Sequence, residues 1–193
     1  MKFTKKHALL ISVLAVMMAL CTVVGATLAY LFVKTDPVVN TFSPSNIGLT
    51  LTETTTNYQM IPGVDIAKDP KVTVTADVDC YVFVKIDKSD NYGTYLEDYG
   101  VATGWTLVPG QNDVYYREVT AAAAKNGASF YVLAGNETFA NGYVSVKTSV
   151  NKAQMAAIAT NNQPTLTFTA YAVQKAGFEN NIAGAWTQAQ AQQ

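Results

Sequence analysis

Four carboxylates, Asp87, Asp90, Glu97 and Asp98, crowd around Asn91-Tyr92-Gly93-Thr94-Tyr95. Two chemistries use such a group: an oxygen cage for calcium, or a carboxylate pair for glycoside hydrolysis. The spacing of Asp87, Asp90 and Asn91 lacks the alternate-residue ligands of an EF-hand loop. The segment is therefore expected to be a solvated loop between strands. Asp65, Asp69, Asp77 and Asp79 are read the same way.

The one histidine of the chain is His7, close to the N-terminus. Beyond it there is no imidazole for a Ser-His-Asp triad, a Cys-His pair or a histidine-ligated zinc. Cys80 without a histidine is a poor nucleophile. It reads as a small buried residue of a strand, with an intermolecular disulfide as the sharper alternative. Tyr92, Tyr95, Tyr99, Trp105, Tyr115 and Tyr116 are the side chains that could build a carbohydrate platform. Strands also use aromatics for cross-strand pairing and core filling, and that is the role expected of Trp105 and Tyr116. The tyrosines at 92, 95 and 99 stay open. Asn136-Glu137-Thr138 fits a glycosylation sequon, a pattern that is common by chance. No catalytic residue, cofactor or metal site is expected.

The elements that must carry these residues are β-strands. Ile47-Gly48-Leu49-Thr50-Leu51-Thr52 and Val72-Thr73-Val74-Thr75 alternate apolar and polar with period two. Tyr81-Val82-Phe83-Val84-Lys85-Ile86 is nearly continuous, as in a central strand covered on both faces. Further strands are expected at Trp105–Val108, Val114–Val119, Ser129–Leu133, Tyr143–Thr148 and Thr165–Val173. Pro109-Gly110 reads as the turn of a hairpin between the first two of these. Thr120–Lys125 and Lys152–Ala159, the latter capped by Asn151, read as short helices. Strands at roughly ten-residue spacing without βαβ alternation predict an all-β fold, an antiparallel sandwich or barrel.

The N-terminus has its own character. Lys2, Lys5, Lys6 and His7 precede 26 uncharged residues, Ala8 to Val33. Small residues gather at Gly25-Ala26-Thr27-Leu28-Ala29. A basic start, an apolar stretch and a small-residue cut site make a secretory signal. Cleavage fits after Ala26 or after Ala29. A retained anchor is the alternative, because about 20 apolar residues can span a bilayer. The 164 residues from Tyr30 onward carry 10 basic and 14 acidic side chains, a net charge of −4. Arg117 is their only arginine. Nucleic acid and anionic membrane surfaces are unexpected partners, since both call for clustered Lys and Arg.

Three blocks carry a resemblance. Gly25-Ala26-Thr27-Leu28-Ala29-Tyr30-Leu31, Thr35-Asp36-Pro37-Val38-Val39-Asn40-Thr41-Phe42 and Ile47–Glu53 together resemble the start of TasA and camelysin-like proteins of Gram-positive bacteria. Met60-Ile61-Pro62-Gly63, Cys80-Tyr81-Val82-Phe83-Val84, Thr169-Ala170-Tyr171-Ala172-Val173-Gln174 and Ala185-Trp186 are similar to later motifs of that family. The resemblance implies a secreted, jelly-roll-like sandwich and a cut between Ala29 and Tyr30 by a SipW-type signal peptidase. It implies a biofilm-matrix protein that self-associates into fibres. In such fibres the released N-terminal segment, with Tyr30, Leu31, Phe32, Val33, Val38, Val39 and Phe42, can act as a donor strand. Phe83 stands where the family often has arginine. The metallopeptidase activity ascribed to camelysin-like members is not carried over, because no histidine and no H-E-x-x-H motif follow the signal.

The expected organisation is a signal over 1–29, a leader and assembly strand over 30–45, a sandwich domain over 46–186 with one or two short helices, and a polar tail over 187–193. The expected place is outside the cell, at the surface or in the matrix, with membrane contact only through an uncleaved signal. A surface adhesin or carbohydrate- or protein-binding module is the alternative.

Overall fold

The computed structural model describes residues 5–29, 46–158 and 162–191, with side chains absent from the description over 21–29. The chain divides into two units, Met1–Ser43 and Pro44–Gln193. In the first, α1 (Lys5–Ala29) is helical throughout. Its large side chains from Leu9 to Leu20 are exposed on every side. Over the described side chains, no helix is long and apolar enough to cross a membrane. The backbone of Ala29 ends α1. Tyr30, Leu31, Phe32, Val33, Val38, Val39 and Phe42 lie outside the described residues.

The second unit is mostly antiparallel β. In chain order it runs β1 (Ile47–Thr52), β2 (Asp65–Ala67), β3 (Lys71–Ala76), β4 (Cys80–Lys88), α2 (Tyr92–Tyr95), β5 (Thr106–Leu107), β6 (Val114–Val119), α3 (Ala121–Ala124), β7 (Ala128–Tyr131), β8 (Tyr143–Ser145), α4 (Lys152–Ala156), β9 (Leu166–Gln174) and α5 (Ile182–Gln190). One sheet has the order β1-β3-β7, a second β5-β6-β4-β9, and β2 pairs with β8 alone. Every pairing between these strands is antiparallel.

The two larger sheets pack against each other through one apolar cluster. Val72 and Val74 of β3 meet Cys80, Val82, Val84 and Ile86 of β4, and none of these six is more than 1 % exposed. The alternate side chains of β4, Tyr81 and Phe83, point to the other face and join Trp186 of α5 in a second cluster. A strand buried on both faces reads as a continuous apolar run, as Tyr81–Ile86 does. A third cluster, around Tyr92, Leu96 and Val146, lies against Ile66 and Met60. All three clusters belong to Pro44–Gln193, so this unit carries its own core.

The expected strands all form, most within two residues of their predicted ends. The hairpin of β5 and β6 turns at Pro109-Gly110, where Gln111 N–H donates to Val108 C=O at 3.0 Å and Gly110 takes φ +79°. Proline followed by a glycine at positive φ is the signature of a type II turn. Thr120 caps α3, and Asn151 and Gln154 form a reciprocal capping box on α4. Three features depart from expectation. The second unit has four short helices among its described residues, where one or two were expected. The segment after β4 keeps Asp90, Glu97 and Asp98 exposed, as expected of a solvated loop, but it also forms α2 and tucks Tyr92 inside at 1 % exposure, where its ring packs against Leu96 and Val146. Residues assigned to a polar tail from 187 instead continue α5 to Gln190 and bury Ala189, since one face of that helix covers β4 and β9.

Candidate functional site: an open seam beside a pocket

The carboxylates come first, since the sequence singled them out. Asp87 pairs with Lys85 at 2.6 Å and Asp98 with Lys88 at 2.9 Å. Among the described residues, no three of His, Cys, Asp or Glu gather as metal ligands. The other aspartates are clasps. Asp69 accepts from the Thr54 N–H (3.0 Å) and hydroxyl (2.6 Å), Asp77 from Asn46 N–H (3.1 Å), Asp79 from Ala121 N–H (2.7 Å), and Asp65 from the Ser145 hydroxyl (2.6 Å). Each partner lies at least 15 residues away in the chain, so spacing could not reveal it. Asn136 is occupied as well. Its Oδ1 accepts from Thr138 and Phe139 N–H, and its Nδ2 donates to Asp65.

The aromatics divide in a similar way. Trp105 is buried and donates Nε1–H to Tyr131 C=O at 2.9 Å. Its ring stands edge-on to Phe130. The guanidinium of Arg117 lies 4.2 Å from the Phe130 centroid and 5.4 Å from that of Trp105. It also donates to the carbonyls of Gly104 (3.1 Å) and Thr103 (2.7 Å). This group bridges β6 to β7 and plugs one side of the space between the sheets. Tyr92 is buried, while Tyr99 and Tyr115 reach a cleft of about 490 Å³ with Lys88, Asp98, Asn112 and Asp113. Cys80 is fully buried, and burial pushes its thiol pKa up.

The opposite side of the sandwich has no such plug. There β1 and β9 come within 8 Å, Cα to Cα, yet do not pair. The registers fix which backbone groups are left free. Ser89 N–H donates to Thr165 C=O and Lys175 N–H to Asp79 C=O, so odd-numbered residues of β9 bond to β4. The N–H and C=O of Leu166, Phe168, Ala170 and Ala172 therefore point outward. Likewise Val132 N–H donates to Pro70 C=O, which turns even residues of β3 to β7 and odd ones to β1. On β1 this leaves the backbone of Ile47, Leu49 and Leu51 facing out. Except for the exposed Leu51, the side chains of these outward-bonding residues line the inner faces. Ile47, Leu49, Leu166, Phe168, Ala170 and Ala172 are only partly buried against a core whose central valines are fully buried. The seam thus offers two edges of unpaired backbone groups beside a half-covered apolar floor, and a strand can add to either edge, since pairing with both at once would need them about 9.5 Å apart.

At the Leu166 end the seam opens into a cavity of about 490 Å³, with walls that include Met60, Ile66, Leu96, Leu166, Lys68 and Tyr92. Lys68 is buried, and its Nζ holds Glu53 Oε1 at 2.8 Å. The same ammonium sits 4.9 Å from the Tyr58 ring centroid and 5.2 Å from that of Phe168. Tyr58 donates its hydroxyl to Glu53 at 2.9 Å, and burial and that carboxylate raise its pKa. The Tyr92 hydroxyl is buried with no hydrogen-bond partner, and burial pushes its pKa up to about 12. Neither Lys68 nor Glu53 was singled out in the sequence as a site residue. The one available signal was Glu53 closing the alternating strand Ile47–Thr52. Set against known proteins, the chain matches no family model, no curated protein and no solved structure.

Proposed function

We propose that this chain is a secreted structural subunit of an extracellular fibre, a jelly-roll-like relative of the TasA and camelysin-like proteins. A SipW-type peptidase cuts between Ala29 and Tyr30, and the released segment adds as a strand to the seam of the next subunit. The observation that carries this reading is the pair of unpaired edges, β1 and β9, over half-buried Ile47, Leu49, Leu166 and Phe168. The leader supplies the complement: Tyr30, Leu31, Phe32, Val33, Val38, Val39 and Phe42 in 13 residues. Each large apolar side chain left in water costs roughly 1.5–3 kcal/mol, and strand addition recovers that while pairing the backbone. The contact is head-to-tail, so it propagates instead of closing. A chain starting at Tyr30 is expected to form filaments under conditions where one starting at Asn40 stays monomeric by light scattering. Equal polymerisation of both sinks the proposal.

A second reading, a glycan-binding module, draws on the cleft where Tyr99 and Tyr115 meet Asp98, Asn112 and Asp113. Half-buried rings beside hydrogen-bonding groups suit a sugar. Binding on a glycan array that is lost on Tyr99→Ala and Tyr115→Ala would favour it; a blank array removes it.

A further inference from the structure

We infer that Asn126 is a site of spontaneous covalent modification. Its side-chain amide is lost by reaction with the backbone nitrogen of Gly127, while the same dipeptide at Asn141-Gly142 is kept inert by the fold.

Two asparagines of the chain precede a glycine, Asn126 and Asn141. A glycine has no Cβ to keep its backbone nitrogen away from the preceding side chain. The reaction needs only water. The Gly127 nitrogen loses its proton and bonds to Cγ of Asn126. The Cγ–Nδ2 bond breaks, and Nδ2 takes up a proton and leaves as ammonia. Water then opens the five-membered imide at one of its two carbonyls. Opening at Cγ leaves aspartate. Opening at the backbone carbonyl leaves isoaspartate, with the chain running through Cγ. Either product adds one negative charge.

The dipeptides are identical, and their surroundings separate them. Asn141 is exposed, but Gly142 is buried at the start of β8. Its carbonyl accepts from Lys68 N–H at 3.0 Å. A Cβ at this glycine would stand 2.4 Å from the Lys68 carbonyl oxygen and 2.8 Å from Cβ of Leu133. The peptide that must swing toward Asn141 Cγ is therefore clamped. Its own N–H bond, to Phe139 C=O, is long at 3.3 Å, so the protection comes from the packing around it. At the other site Asn126 and Gly127 are both exposed, and a Cβ at Gly127 would meet nothing closer than 3.9 Å. The Gly127 N–H donates to Ala124 C=O at 2.9 Å, at the exposed end of the four-residue α3. The opposite end of α3 is pinned by the Thr120 cap and by Asp79. Exposed terminal bonds of a short helix open at little cost in free energy, and each opening frees the nitrogen to react.

The test incubates the folded protein at pH 8, with a second sample unfolded in urea, and follows both dipeptides by peptide mapping and mass spectrometry. In the folded protein the gain of about 1 Da is expected at least tenfold faster at Asn126 than at Asn141. In urea the two rates should come within about twofold of each other, because the clamp on Gly142 is gone. Isoaspartate should appear beside aspartate at position 126, since only the imide route makes it. Asn126→Gln should abolish the acidic form that ion exchange resolves. Equal rates at the two sites in the folded protein, a faster Asn141, or no change at Asn126 while the urea sample reacts would each overturn the inference. Aspartate formed without isoaspartate would overturn the attack by Gly127.

Discussion

Arg117 shows how much one residue can organise. It is the only arginine of the chain, and its planar fork satisfies two carbonyls while its face covers Phe130. Lysine cannot reproduce that geometry. The fork fits only because residue 104 is glycine. A Cβ there would stand 1.6 Å from Nη2 of Arg117, and the backbone holds φ +91°. Gly104→Ala is expected to destabilise the domain by about 2–4 kcal/mol, combining backbone strain with the displaced guanidinium. Gly110→Ala is the control. It shares a positive φ but meets open space, so it should cost only about 1 kcal/mol. Urea unfolding of the two variants decides the matter; equal losses would remove Arg117 from the account. At this scale the sequence was a partial guide. Packing of Trp105 and burial of Cys80 followed from residue type. The clasping roles of Asp65, Asp69, Asp77 and Asp79 did not, because each joins chain segments that only the fold brings together.

Elements were the most legible level. Period-two alternation located β1 and β3, the continuous run located β4, and Pro-Gly chemistry located the β5–β6 turn. Short β2 carries no alternation to read, and α2 has only four residues. The element least legible was α5, whose second half falls in the polar tail expected from 187. Composition hides it because only one face matters: Ala185, Trp186 and Ala189 are buried while Gln188 and Gln190 face out. Trp186 lies 5.5 Å from Phe83 and 5.0 Å from Tyr171, ring centroid to centroid. The second core thus depends on a helix at the very end of the chain. Trp186→Ala is expected to cost about 3–5 kcal/mol by chemical denaturation and to expose the outer face of β4. An unchanged midpoint would mean that α5 is not docked in solution. The same packing accounts for Phe83. It is fully buried against Trp186, a place where an arginine would be buried without a partner.

At the scale of the whole molecule, few groups respond to pH in the neutral range. No histidine follows His7, and Cys80 has its pKa raised by burial. Stability should be flat from about pH 6 to 9. The response lies at alkaline pH. Tyr58, Tyr81, Tyr92 and Tyr99 have pKa values raised chiefly by burial, that of Tyr92 to about 12. A phenol whose folded pKa exceeds its unfolded value of about 10 favours the folded state below pH 10, and that preference is lost as pH climbs toward 12. Four of the 11 tyrosines are thus expected to ionise only as the domain unfolds, seen as a cooperative rise in tyrosinate absorbance. A smooth titration of all of them near pH 10 contradicts this. On the acid side, Asp98 is held below its usual pKa by its hydrogen bond with Lys88. Its contribution is present at neutral pH and fades as pH falls, and it is small because the carboxylate is fully exposed. The asymmetry of the sandwich has one more consequence. Trp105, Phe130 and Arg117 close one side, so under the strand-addition proposal each chain has a single acceptor and, with its leader, a single donor. A subunit of that kind has a valence of two and is expected to build unbranched, polar threads. A copy without the leader accepts but never donates, so small amounts of it should terminate growth at one end and shorten the threads.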